Sequence, residues 1–117
     1  MAVKKSGQLV LFRFPQTDLL PGKLRPALLL APLPSGRNDW LVCMISSQIS
    51  QAIAGVDEVI NASDPDFAPS GLKTASMIRL TRLAVVSDSI FFGVIGELSA
   101  ARLGGLKKRL AQWIESN

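Results

Sequence analysis

Two cations stand where a flexible turn runs into a buried strand. Residues 22–30 read Gly-Lys-Leu-Arg-Pro-Ala-Leu-Leu-Leu, so Lys23 and Arg25 precede an aliphatic run. Pro26 has no N–H, which suits the beginning of a strand but not its middle, and it biases Arg25 towards an extended backbone. Because an unpaired buried charge is very costly, Arg25 should stay at the solvent-facing lip of this strand. A cation placed there can bind a phosphate or act in catalysis.

Hydroxyl groups end the next apolar run. Ser46 and Ser47, followed by Gln48, come directly after the run at residues 40–45. Serine side chains at the end of a strand often satisfy nearby backbone groups in a turn. The pair is therefore either a turn device or a functional group at the mouth of the sheet.

The composition excludes several kinds of chemistry. The chain contains no histidine, no tyrosine and one cysteine, so it offers no imidazole base and no histidine or thiolate metal site. Asp64 and Asp66 flank a proline, but two carboxylates do not supply the six or more oxygens that calcium needs. We expect these two acids to lie in a solvated loop, and we expect no metal and no cofactor. Any catalysis must use Arg, Lys, Asp, Glu, Ser or Thr.

Charge is unevenly distributed along the chain. Five of the nine acids and none of the thirteen Lys and Arg residues lie within residues 39–72. The rest of the chain is strongly basic, which suits an anionic partner such as nucleic acid. Ordinary solvated charge is the alternative interpretation.

Length and apolar content predict one domain, residues 1–117, with a filled core. With 48% hydrophobic residues, apolar surface can be left over for a partner, and a homo-oligomer would cover it. Cys43 lies in an apolar run and should behave as a small buried hydrophobe in a reducing, cytoplasmic setting. No stretch approaches the roughly 18 apolar residues of a membrane helix.

Short strands must position these residues. Apolar runs bounded by Pro, Gly, Asn and Ser clusters predict a meander of strands at residues 9–14, 24–31, 40–45, 56–60, 72–86 and 90–95. We expect the fourth to be short and exposed, the fifth to be long or bent, and the sixth to have a bulge or a barrel bend at Gly93. Between them, residues 50–55 can form one helical turn, and residues 61–71 read as a loop.

The C-terminal part changes to helical spacing over residues 98–114. Ser99 is a plausible N-cap, and Gly104 and Gly105 either permit close packing or soften the first turn. The apolar stripe comprises Leu103, Leu106, Leu110, Trp113 and Ile114. Lys107, Lys108 and Arg109 fall largely off it, as a solvated face or an RNA contact. The predicted fold is mainly β, a small bent antiparallel sheet or barrel closed by this helix.

Several stretches together resemble the PemK/MazF family of toxin endoribonucleases from bacterial toxin–antitoxin pairs. The similarity covers nearly the whole chain, and it lies in the order and spacing of the motifs. These are Gly-Gln-Leu-Val-Leu-Phe-Arg-Phe-Pro at 7–15, Thr17 and Asp18, residues 22–27, Ile-Ser-Ser at 45–47, Gly71 and Leu72, Ser76, Arg79, and Gly-Glu-Leu-Ser at 96–99.

The resemblance implies an SH3-like barrel, a homodimer, and metal-independent cleavage of single-stranded RNA, inhibited by an antitoxin protein. It assigns catalysis to Arg25, Ser46 and Arg79. It gives RNA binding to Thr17, Asp18, Lys23, Ser47, Gln48, Ser76 and Thr81. Some members pair the arginine at position 79 with an acid two residues later, and here that residue is Thr81.

Two other functions stay open at this point. A degenerate member of the same fold would bind RNA or an antitoxin peptide without cutting it. A toxin of similar fold would instead poison a topoisomerase, although no feature of the sequence favours this.

Overall fold

The computed structural model describes residues 4–13, 23–35 and 37–117, which form one antiparallel sheet of six strands with a C-terminal helix. The strands are β1 Gln8–Arg13, β2 Leu24–Pro32, β3 Asp39–Ser46, β4 Glu58–Ile60, β5 Ser76–Ser87 and β6 Gly93–Glu97. The helices are α1 Phe67–Ser70 and α2 Ala100–Glu115, with short 3₁₀ turns at Ile49–Gln51 and Asp88–Ile90. The strand order is β4-β5-β3-β2-β1-β6, and the sheet curls into a half-barrel. This confirms the predicted mainly β fold with a closing helix.

The meander prediction holds only for β1, β2 and β3. The strand that follows β3 in the chain, β4, does not pair with β3 but forms one edge of the sheet, next to β5. The last strand, β6, forms the other edge, next to β1. Within the described residues, no helix combines the length and the apolar character needed to cross a bilayer.

Three local predictions were wrong. The expected loop at residues 61–71 contains α1, which ends at Gly71 in a left-handed conformation with φ of 77°. The fourth strand is not exposed throughout, because Ile60 is fully buried. The last strand begins at Gly93, since Ser87 accepts a hydrogen bond from the N–H of Ser89 and starts a 3₁₀ turn. Its bulge lies at Ile95, between the pairs Val10–Val94 and Leu9–Gly96.

The sheet buries apolar side chains on both of its faces, because successive residues of a strand point to opposite sides. One core lies under α2 and comprises Leu9, Leu28, Leu30, Cys43, Ile45, Ile60, Ile78, Leu80, Leu98 and Leu106. The other lies on the opposite face and comprises Val10, Phe12, Ala27, Leu29, Trp40 and Val42. The stripe of α2 is only partly used, since Leu106 is buried whereas Trp113 and Ile114 are exposed.

A bulge of three residues in β5 interrupts its pairing with β3. Cys43 lies opposite Leu83, but its neighbour Met44 lies opposite Arg79, so β5 carries three extra residues between these pairs. The bulge fixes which β5 side chains share a face with β3.

Two glycines differ sharply in the space around them. A Cβ on Gly96 would lie 2.2 Å from the carbonyl oxygen of Pro69, because α1 presses directly on β6. A Cβ on Gly104 would have no atom within 4 Å, which excludes close packing as the reason for this glycine.

We predict opposite effects of alanine at these positions. Gly96→Ala should lower the free energy of unfolding by about 1–3 kcal/mol, because backbone atoms of α1 must move. Gly104→Ala should raise it by up to about 1 kcal/mol, since alanine is the better helix former. Urea unfolding followed by circular dichroism measures both, and equal stability of the two variants would contradict the packing described here.

Candidate active site

Arg25, Ser46 and Arg79 occupy neighbouring positions on three hydrogen-bonded strands. Met44 of β3 lies opposite Ala27 on one side and opposite Arg79 on the other. Two residues further along this antiparallel pair, beyond the pairing of Ala27 with Met44, Arg25 lies opposite Ser46. Directly opposed residues share a face, as do residues two apart on one strand. The three side chains therefore share one face at one end of the sheet, and we call them the Arg25–Ser46–Arg79 row.

Arg25 lies at the lip of the buried strand, as predicted. It is exposed and lies opposite Phe12 of β1, whereas residues 27–30 are buried. Pro26 stands between the exposed and the buried part of β2. The guanidinium group of Arg25 is thus available to an anion in solvent, while the rest of β2 is held by the core.

Arg79 carries an unsatisfied donor. The residue is half-buried, and its buried Nε has no hydrogen-bond partner. In the described part of the chain, the only other such buried side-chain atom is Oδ1 of Asp57. A buried N–H without a partner costs about 1–3 kcal/mol and is rare in native proteins, so Arg79 is a candidate functional residue.

The Ser46 hydroxyl takes part in the predicted turn as a hydrogen-bond acceptor, which leaves its O–H able to donate. Its Oγ accepts a hydrogen bond from the backbone N–H of Gln48 at 3.1 Å. This contact uses a lone pair of the hydroxyl and orients it, while the O–H hydrogen stays available. A turn device and a functional hydroxyl are therefore compatible at this position.

The other residues predicted to bind RNA divide into three groups. Lys23, Ser47 and Gln48 are exposed and adjoin the strand ends that carry Arg25 and Ser46. Thr17 and Asp18 lie outside the described residues.

Ser76 and Thr81 are not brought into the row. Ser76 is buried, lies opposite Ile60, and donates a hydrogen bond from its Oγ to the carbonyl of Thr74 at 2.9 Å. Thr81 lies in the β5 bulge and lines a cavity of about 320 Å³ together with Arg109 and Trp113 of α2.

Cys43 has no place in the site's chemistry. Burial raises the pKa of its thiol to about 12, and the negative charge of Asp57 adds to the rise. The thiol is protonated at neutral pH and is not a nucleophile. This agrees with its predicted role as a small buried hydrophobe. Within the described residues, no group of three or more Cys, Asp or Glu side chains is placed to hold a metal ion.

An ion cluster around Arg102 was missed by the sequence interpretation. The guanidinium group of Arg102 donates to Glu58, Asp64 and Asp66, each at 2.9 Å. Asp66 is buried, not solvated as predicted, and its Oδ2 also accepts from the N–H of Ser99 at 3.2 Å. The cluster ties the first turn of α2 to the loop before α1 and to β4.

The cluster also explains two pKa shifts. The hydrogen bond from Arg102 lowers the pKa of Asp66, although burial acts in the opposite direction. Hydrogen bonds and charges of Asp66 and Glu58 raise the pKa of Arg102 despite its burial. Arg109 joins through Glu58 at 3.2 Å, so only Lys107 and Lys108 of the basic cluster are solvated as expected. Ser99, the predicted N-cap, accepts from the N–H of Arg102 at 3.2 Å.

Comparison with known proteins gives two findings. The sequence model of a family described as PemK-like, MazF-like toxin of type II toxin–antitoxin system matches residues 5–114. Among solved structures, an endoribonuclease in complex with its cognate antitoxin from mycobacterial species matches with a TM-score of 0.68 and 13% identity. The match covers 97% of this chain and 96% of that chain, and at this identity it shows a shared fold. No curated protein matches the chain.

Replacement of Arg102 tests the ion cluster. Arg102→Met should lower the free energy of unfolding at pH 7 by about 2–3 kcal/mol, because three carboxylates lose their shared partner. The folded-state pKa of Asp66 is lowered, so this stabilisation is fully present above its unfolded pKa of about 3.9 and is lost at lower pH. Urea unfolding from pH 7 to pH 2 should show the gap to wild type closing below about pH 4.

Arg109→Met is the matched control, because among the described residues Arg109 forms an ion pair with Glu58 alone, and its side chain is more exposed than that of Arg102. It should cost less than about 1 kcal/mol. A gap for Arg102→Met that stays constant down to pH 2 would contradict the assignment.

Proposed function

Because the chain belongs to the family of PemK-like, MazF-like toxins of type II toxin–antitoxin systems, we propose that it cleaves single-stranded RNA without a metal ion. The observation that carries the proposal is the Arg25–Ser46–Arg79 row, with two guanidinium groups and a hydroxyl at one end of the sheet. Arginine presents a rigid fork of donors that matches phosphate oxygens. The endoribonuclease activity of the mycobacterial protein of the same fold supports the same reaction.

RNA carries its own nucleophile for this reaction. The 2′-hydroxyl attacks the adjacent phosphorus, and the bond from phosphorus to the 5′-oxygen of the next nucleotide breaks. The 2′-hydroxyl loses a proton and the departing 5′-oxygen gains one, which leaves a 2′,3′-cyclic phosphate and a 5′-hydroxyl. The protein must orient these atoms and stabilise the negative charge that develops on the phosphorane.

Each member of the row has one task. Arg25 binds a non-bridging oxygen of the scissile phosphate from the solvent side. Arg79 turns its unpartnered Nε–H to the same phosphate, where the developing charge strengthens the hydrogen bond. Ser46, oriented by the N–H of Gln48, donates its O–H to a phosphate oxygen or to the leaving 5′-oxygen.

Arginine, with a pKa above about 12, is a donor and not a base. The base that accepts the 2′-hydroxyl proton therefore comes from outside the row. Lys23, Ser47 and Gln48 flank the row and contact the RNA beside it, and we keep Thr17 and Asp18 as further contacts. The protein acts on mRNA in the cytoplasm, and a cognate antitoxin protein inhibits it.

A second copy of the chain is the partner we propose for the apolar surface on the α2 side. This surface consists of Leu83 and Val85 of β5 with Trp113 and Ile114 of α2, all exposed. It is continuous, because Val85 lies opposite Leu41, and Leu41 and Ile114 line the same groove of about 260 Å³. Burying such side chains in an interface removes apolar surface from water, which favours association.

Cleavage assays test the row directly. Wild type should cut a single-stranded RNA in the presence of EDTA. A single-stranded DNA of the same sequence, which lacks the 2′-hydroxyl nucleophile, should stay intact. Arg25→Ala and Arg79→Gln should each lower kcat by about 10²–10³, the usual effect of removing one donor to a developing oxyanion. Ser46→Ala should lower it less, since a neutral donor is lost. Gel analysis of labelled RNA measures all three.

Arg37→Ala is the matched control, because Arg37 is exposed in the turn between β2 and β3, at the opposite end of these strands. It should cut RNA like wild type. Full activity of Arg25→Ala would refute the proposed site. Tight RNA binding by wild type without any product would instead favour the non-cleaving binding module.

Light scattering after gel filtration tests the dimer. Wild type should have about twice the chain mass of 12.6 kDa, and Val85→Glu should have the mass of one chain. Val94→Glu, which changes an exposed apolar residue opposite Val10 on the face away from α2, should keep the wild-type mass. A monomeric wild type at micromolar concentration would rule the dimer out.

A further inference from the structure

An aromatic and basic surface lies at the end of β1, outside the Arg25–Ser46–Arg79 row. It consists of Arg13, Ser89, Ile90, Phe91 and Phe92, which line an open cavity of about 370 Å³. Lys4 adds a second cation, with its Nζ at 5.9 Å from the centre of the Phe91 ring. The function proposed above does not use any of these side chains.

Phe92 is the exposed ring of this surface. It is 62% exposed, the largest exposed fraction of any described large hydrophobic residue. The neighbouring Phe91 instead packs edge-on against Phe12, with ring centres 6.0 Å apart. The N–H of Phe92 donates to the carbonyl of Leu11 at 2.8 Å. The backbone that carries the exposed ring is therefore held to β1 by this hydrogen bond.

A cation accompanies the ring. The guanidinium carbon of Arg13 lies 5.5 Å from the centre of the Phe92 ring, within the range of a cation–π contact. An exposed aromatic face beside a cation is the combination with which proteins bind single-stranded nucleic acid. The ring stacks on a base, and the cation contacts the backbone phosphate. The two cations make RNA a better occupant than an apolar peptide.

The surface adjoins the proposed site through the β1–β2 pair. Phe12 lies opposite Arg25, and the next residue, Arg13, lies opposite Leu24. Arg13 and Arg25 thus flank the same end of this pair, on its two faces. The aromatic and basic surface and Arg25 therefore adjoin the same end of this strand pair.

We infer that Phe92 is a stacking platform for a base that flanks the cleaved bond, and that Arg13 contacts a phosphate beside that base. The inference rests on the proposed function, because it takes RNA as the ligand. It assigns Phe92 and Arg13 to substrate binding and not to the chemical step. Changes at these positions should therefore weaken RNA affinity and raise KM, with little change in kcat.

The test measures binding to a fluorescein-labelled 2′-O-methyl RNA of mixed sequence, which lacks the nucleophile and cannot be cut. Base–aromatic stacking is worth about 1–3 kcal/mol, so Phe92→Leu should bind at least about fivefold more weakly. Phe92→Trp should bind as tightly as wild type, because it keeps an aromatic face. Arg13→Gln should lower the slope of log affinity against log salt by about 0.7, as expected for one lost phosphate contact.

Ile53→Ala is the control for removal of an exposed apolar side chain elsewhere, and it should bind like wild type. Thermal unfolding checks that each variant is folded. Wild-type affinity in Phe92→Leu, or no binding by wild type, would overturn the inference. Weak binding by Phe92→Leu together with no cleavage of ordinary RNA by wild type would support the platform and refute the proposed cleavage. RNA cleavage by wild type, with a KM for Phe92→Leu equal to that of wild type, would support the proposed cleavage and refute the platform.

Discussion

The register of β3 against its two neighbours is the constraint on which the candidate site depends. Met44 lies between Ala27 and Arg79, and this pairing alone places Arg25, Ser46 and Arg79 on one face. A slip of one residue would turn a strand's side chains to the opposite face. Such a slip of β5 is disfavoured here, because it would turn the charged Arg79 into the core under α2, where Ile78 and Leu80 are buried. The site is therefore as well defined as the core that fixes the register.

The two faces of the sheet perform different tasks. On one face, α2 covers the core and is tied by Arg102 to three carboxylates from the acidic middle of the chain. Three acids of this segment, Glu58, Asp64 and Asp66, are thus paired with cations of α2. On the other face, Arg79 keeps a buried Nε–H without a hydrogen-bond partner among the described residues, which costs stability.

Sequence reasoning reached the parts that depend on local patterns. The aliphatic run after Arg25 and Pro26 predicted a strand and its exposed lip, and Ser99 predicted the start of α2. Contacts between distant parts of the chain could not be found in this way. Asp66 and Arg102 are far apart in the sequence, and nothing near either residue shows that they pair. The sheet face on which Ser76 and Arg79 lie also depends on the pairing of β5 with β3 and β4. Nothing near Phe91 and Phe92 in the sequence indicates that Phe92 is the exposed one of the two.

The most direct measurement of the central claim is a double-mutant cycle on kcat/KM for RNA cleavage, with Arg25→Ala, Arg79→Gln and the double variant. If the sheet brings both guanidinium groups to one phosphate, each supports the other, and the double variant should be little worse than the more damaging single variant. Losses that multiply, so that the two changes act independently, would show that Arg25 and Arg79 do not act on the same phosphate and would contradict the account.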